Sequence, residues 1–386
     1  MHMSTDWPIR MRRFAALALA LMVIPWGSCQ TPSASSGGES PSPSPAATRS
    51  SPLASDLPPL TRDYLLFNDR GRGELVVADT SGAEVLHVAN AGVPATPRVA
   101  IDPSGRRVAY WREAAGGFEL AIWDGSSPAV KVITRESDLM PWAAPLWTVD
   151  GDNIVTTVAT APSAAPPGAV PARGRIDFLS PSGGAARTLA TFANEYPIVA
   201  LYGDRDIVTG FRIGNKNMAY VVLNAKTGSV RSETSASGFL FSGTQGRMAW
   251  GLISEFESTK PATLRVWPVD DYGREVARVD ALGTGIPLGW PGRSEIAFSS
   301  STPGRDEIRA LDYANGSSRI AGVVGLGGSP LGFSSDGSSL LLYQSTPSPY
   351  FLARTLADGT LGPLTPYRVT GRPDNPTFMF LGWLRL

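Results

Sequence analysis

One phrase recurs from about residue 64 to residue 386, and it calls for sheets rather than helices. A short apolar run ends in a tight turn built on Asp, Ser and Gly. A second apolar run follows at once, a third ends at Asp or Asn next to a Gly, and a fourth completes the unit. The clearest copies are RVAIDPSGRRVAYWRE (98–113) with FELAIWDGSSPAVKVIT (118–134), and LGFSSDGSSLLLYQS (331–345) with YFLARTLADGTLGPLT (350–365). Weaker copies begin near Leu146, Val199, Leu240 and Leu288. Each run alternates apolar and polar over about five residues, the signature of a half-buried strand. Asp-Gly and Ser-Gly supply the positive φ that tight hairpins need.

The repeat is roughly 40 to 45 residues long, the length of a four-stranded propeller blade. The segment YLLFNDRGRGELVVADTSGAEVLHVA (64–89) holds three strands and lacks an innermost one. The last ten residues, TFMFLGWLRL (377–386), form a lone strand of the innermost type; Phe380-Leu381-Gly382-Trp383 parallels Pro287-Leu288-Gly289-Trp290. The economical reading is an all-β propeller of about seven blades over residues 60–386, closed by the C-terminal strand so that no sheet edge stays open.

Composition agrees and excludes several classes. Only 18% of residues are charged, while Gly (41) and Pro (33) are abundant, which suits short strands and tight loops. The 34 basic and 34 acidic residues balance, so no net field draws the chain to nucleic acid. One cysteine, Cys29, rules out an intramolecular disulfide and a Cys-based zinc cluster.

The N-terminus reads as an address. Arg10, Arg12 and Arg13 precede the apolar run FAALALALMVIP (14–25) and the sequence Trp26-Gly27-Ser28-Cys29. The run is short for a membrane-spanning helix, which needs about 20 apolar residues, and ends in small residues as a cleavage site does. Gly27-Ser28-Cys29 resembles a bacterial lipoprotein signal; Trp26 departs from it, where a Leu-like residue is usual. The resemblance implies a signal peptide over 1–28, lipidation of Cys29 and anchoring at the outer or periplasm-facing side of the cell membrane. Residues 29–59 are rich in Ser, Pro, Ala, Thr and Gly, with too few large apolar groups to offset ordering entropy, and read as a tether.

The turns Asp102-Pro103-Ser104-Gly105 and Ser334-Ser335-Asp336-Gly337 resemble the Ser-Pro-Asp-Gly turn of TolB-like propeller repeats, relatives of WD40. The resemblance covers most of residues 60–386. It implies a fold, and for function only an expectation of binding envelope proteins.

Catalytic motifs are scarce. The string Gly327-Gly328-Ser329-Pro330-Leu331 lacks the last glycine of a nucleophile elbow, and no phosphate loop or calcium loop occurs. His87, in an outer strand, is the sole histidine beyond the signal. Two acidic pairs, Asp150/Asp152 and Asp204/Asp206, stand beside blade turns, where they either cap the turn or hold a cation or proton. Glu255 and Glu257 lie in a loop longer than a hairpin needs. Trp142 and Trp147 either fill the space between blades or line a channel mouth that stacks on sugar or peptide. The expectation is a tethered module, with no cofactor, that grips an envelope protein, a peptide or a glycan. The alternative is a carboxylate- or metal-dependent enzyme acting on a glycan or lactone in the central channel.

Overall fold

The computed structural model describes residues 63–386 except 90, 93–98, 126–128, 149, 161–172, 194–198, 202–206, 215–216, 225–226, 228, 236–239, 246, 254–261, 269–273, 282–286, 303–304, 325–327, 345–349 and 373–377; over parts of 199–262 it describes backbone alone. Among the described residues every named element is a strand. The strands pair in seven sheets. Sheets two to seven each use strands consecutive in sequence, whereas the first is ordered Phe378–Arg385, Asp63–Asp69, Glu74–Ala78, Glu84–Val88. All pairings are antiparallel, as hairpin connections require.

The innermost strands neighbour one another in a circuit. Phe378–Arg385 lies beside Val99–Ile101, then follow Leu146–Trp147, Val199–Leu201, Leu240–Gln245, Leu288–Trp290 and Ser329–Phe333, which again lies beside Phe378–Arg385. This is the architecture of a β-propeller. The partner of Phe378–Arg385 inside the first sheet is Asp63–Asp69, with Asp63 opposite Arg385 and Asp69 opposite Phe378.

The two-residue period of a strand explains how each sheet serves two neighbours. Along Asp63–Asp69, Tyr64 and Leu66 pack with Val108, Tyr110 and Trp123 of the second sheet. Leu65 and Phe67 face the other way and pack with Leu341 and Tyr350 of the seventh. Both faces are buried, so the strand reads as a continuous apolar run. Fully burying each such side chain contributes about 1.5–3 kcal/mol.

Tryptophans tie sheet to sheet by donating their indole N–H to a carbonyl of the neighbour. Trp383 reaches Gly332 O at 2.8 Å, Trp147 reaches Ala100 O at 3.1 Å, and Trp290 reaches Gly337 O at 3.2 Å. Gly332 gives this contact room: a Cβ there would sit 3.2 Å from Phe380 and 3.3 Å from Trp383, so those rings would have to give slightly to admit a side chain.

The third sheet departs from the expected repeat, which places its innermost strand at Leu146. Its inner edge is divided between Met140–Pro141 and Leu146–Trp147, both paired with Ile154–Ala159. Pro141 and Pro145 bring no N–H to a ladder, which suits a broken edge strand.

Candidate functional site

In three of the sheets the turn joining the first two strands is held by an acid and a nearby hydroxyl. Asp102 Oδ1 accepts the Arg106 and Arg107 backbone N–H groups at 2.8 and 2.9 Å. Its Oδ2 accepts the Ser104 hydroxyl at 2.7 Å and Arg107 Nε at 2.9 Å. Two other sheets use a hydroxyl two residues ahead of the acid. Thr148 donates to Asp150 Oδ1 at 2.6 Å, and Ser334 to Asp336 Oδ1 at 2.7 Å. A backbone N–H then closes on the same oxygen, from Asp152 at 3.1 Å and from Ser338 at 2.9 Å.

Burial pushes the Asp102 carboxyl up, but the Arg107 N–H, the Ser104 hydroxyl and the Arg107 guanidinium outweigh it and hold the pKa below its ordinary value. A depressed folded pKa stabilises the protein above the unfolded-state pKa, about 3.9, and that contribution is lost as pH falls through the folded value. Asp102→Asn is therefore expected to cost about 1–3 kcal/mol at pH 7. The difference from wild type should narrow as pH falls below about 4, which denaturant melts across that range would read.

Beside the Asp102 turn, residues of the second, first and seventh sheets line an open cavity of about 780 Å³. Its apolar wall includes Ile101, Leu381, Phe333 and Trp383. Its polar residues come from the Asp102 turn, from Ser335 and from Arg385. The wall is pinned by one backbone bond, Arg385 N–H to Gly105 O at 2.8 Å. Gly105 permits that approach: its φ is +76°, and a Cβ would lie 3.0 Å from Arg385 N. A smaller groove of about 500 Å³ separates the second and third sheets and is lined by Arg107, Asp124, Lys131 and Asp152.

The residues singled out in the sequence fall in different places. Asp150 caps its turn, and Asp152, exposed, lines the smaller groove. Trp147 is only 7% exposed, with Arg107 over its ring at 4.6 Å and its N–H on Ala100, so it packs between sheets. Trp142 is half-buried, and its backbone N–H donates to Thr157 O at 2.8 Å. His87 lies on the outermost strand of the first sheet, its Nδ1 3.0 Å from Glu84. Cys29, Asp204, Asp206, Glu255 and Glu257 lie outside the described residues. Arg106 and Arg385 of the larger cavity escaped sequence reasoning. Their signal was slight: an arginine directly after a Ser-Gly turn, and the penultimate residue of a lone inner strand.

No family model matches the chain, and no curated protein matches it either. Solved structures do resemble it in fold. TolB from Acinetobacter baumannii is 18% identical, covering 74% of this chain and 68% of its own, with a TM-score of 0.43. Acylaminoacyl peptidase from Pyrococcus horikoshii is 13% identical over 76% of this chain, with a TM-score of 0.51; this chain spans about half (48%) of that peptidase. An oligogalacturonate lyase in complex with manganese is 12% identical, covering 75% of this chain and 89% of its own, at 0.52. Such likenesses concern the fold alone, since one fold hosts many chemistries.

Proposed function

We propose that this chain is an exported, lipid-anchored propeller of seven blades, closed by its last strand, that serves as a binding module in the cell envelope. The seven sheets and the circuit of inner strands support the closed ring. The observation that carries the binding reading is the larger cavity. It combines an apolar wall, a size suited to a ligand or the tip of a partner, and two exposed arginines. The carboxylates described beside it serve structure instead. Asp102 is saturated by its own turn, and Asp63 accepts the Ser335 N–H and hydroxyl at 2.8 and 2.6 Å. Asp150, one of the acids considered for proton or metal chemistry, is likewise engaged in a turn. These placements favour binding over carboxylate catalysis.

The anchor rests on the sequence around Cys29 and the tether behind it. Metabolic labelling with an alkyne fatty acid is expected to mark the wild-type protein and to place it in the membrane fraction. Cys29→Ala should be unlabelled and released; an unlabelled wild type would overturn the anchor. Crosslinked recovery of partners from host membranes then tests the module. A dominant partner that disappears with Arg106→Ala/Arg385→Ala supports the cavity as the binding face, and one recovered undiminished moves the interaction elsewhere.

A further inference from the structure

The polar groups around the larger cavity are unequally committed. Ser104 is spent on Asp102 and Ser335 on Asp63, and both Asp102 oxygens are filled. Arg106 and Arg385 differ. Both line the cavity, both are exposed, and among the described residues neither guanidinium has an ion pair or hydrogen bond. The hydrogen bond from Arg385 N to Gly105 O sets their backbones side by side across two sheets. Leu386 lines the same cavity. Its side chain packs toward Gly125 and the core between the first and second sheets.

An arginine presents a planar fork of donors that matches a carboxylate with two parallel bonds. Two uncommitted arginines beside half-buried Ile101 and Leu381 select a ligand with an anionic end and an apolar body. A phosphate or sulfate alone would use the charge and leave the apolar wall wet. A neutral apolar ligand would use the wall and leave the guanidiniums without a counter-charge. Deepening the binding reading above, on which this rests, we propose that the cavity is a subsite for a carboxylate carried on an apolar group. The source is either a small aryl or alkyl acid or the terminal residue of a peptide, which share this chemistry.

The test uses the mature lipidated protein in detergent, titrated by calorimetry with four probes. These are N-acetyl-Phe-Leu with a free carboxylate, its C-terminal amide, 3-phenylpropionate and 3-phenylpropionamide. The expected result is that an acid binds and its amide binds about 10- to 100-fold more weakly, the scale of hydrogen bonds to a charged group. Arg385→Gln and Arg106→Gln should each lose about 10-fold for the acid. Arg354→Gln, an exposed arginine outside the cavity, should lose nothing. A preference for the dipeptide acid identifies a peptide end as the source, and a preference for 3-phenylpropionate a small acid. Unchanged circular dichroism and melting of the variants guards against misfolding. Acids and amides binding alike, or no acid binding up to about 10 mM, would sink the proposal, since that is weaker than even a millimolar site. If a membrane partner still depends on Arg106 and Arg385 in that case, the module reading stands and only the ligand class falls.

Discussion

Removing residues 378–386 should abolish cooperative folding rather than trim a tail. The strand Phe378–Arg385 is the inner member of the first sheet, and without it Asp63–Asp69 becomes an exposed edge. Such an edge, apolar on both faces, invites intermolecular pairing. The same cut strips the cage around Phe67. That ring is fully buried, stacked on Phe378 at 4.7 Å between centroids, with Tyr350 and Phe380 edge-on at 5.5 and 5.6 Å. It also removes the Trp383 bond to Gly332 and the Arg385 bond to Gly105, which tie the first sheet to the seventh and to the second. The expected outcome is an insoluble chain, or one that binds a hydrophobic dye and has lost near-ultraviolet circular dichroism. A milder probe of the same closure is Phe67→Ala, which should cost about 3–5 kcal/mol. A truncated chain that melts cooperatively at the wild-type temperature would show that the circuit needs no closing strand.

The pairing of the last strand with the first sheet was legible in the sequence because it depends on local pattern. The likeness of Phe380-Leu381-Gly382-Trp383 to Pro287-Leu288-Gly289-Trp290 marks an inner strand, and a three-stranded remnant at residues 64–89 marks its vacancy. Turns such as Ser334 to Gly337 are legible for the same reason, since the acid, the hydroxyl and the N–H groups lie within five residues. What single-sequence reading misses is whatever one sheet does to another. How tightly Gly332 is held depends on Phe380 and Trp383, about fifty positions away. That Trp147 packs against Arg107 and Ala100 depends on the preceding sheet. The divided inner edge of the third sheet was missed because Met140–Pro141 is too short to show an alternation. The cavity was missed because its arginines come from two sheets at opposite ends of the chain.

Arg372 is expected to give the largest loss of any single charged side chain, with a pH dependence that a packing defect would not show. It lies between the strands Thr365–Pro366 and Phe378–Arg385 in the chain, and its side chain is only 7% exposed. Its Nη1 bonds Asp69 at 3.0 Å and Glu74 at 3.1 Å, while Nε and Nη2 clasp the two oxygens of Glu84 at 2.8 and 3.1 Å. One guanidinium thus bonds three carboxylates from three strands of the first sheet. Burial pushes the Glu84 carboxyl up, but Arg372, with help from His87, outweighs it and holds the pKa below its ordinary value. Arg372→Met keeps much of the volume and leaves the carboxylates facing one another in a poorly hydrated site. Breaking a buried pair from one side costs about 3–5 kcal/mol, with Asp69 the least exposed of the three at 4%. The sign of the pH effect follows. In wild type, Glu84 stabilises above the unfolded-state pKa, and that stability is lost as pH falls through the lowered folded value. In the variant, burial raises the Glu84 carboxyl pKa without Arg372 to offset it, so protonation on acidification relieves the folded state. The gap between the two proteins should therefore be widest near pH 7 and shrink toward pH 4. Arg372→Lys keeps the charge but not the fork and should fall between them. Urea melts of the three proteins at pH 7, 5.5 and 4 would read this directly, and a gap that stays constant with pH would mean that Arg372 acts through packing rather than charge.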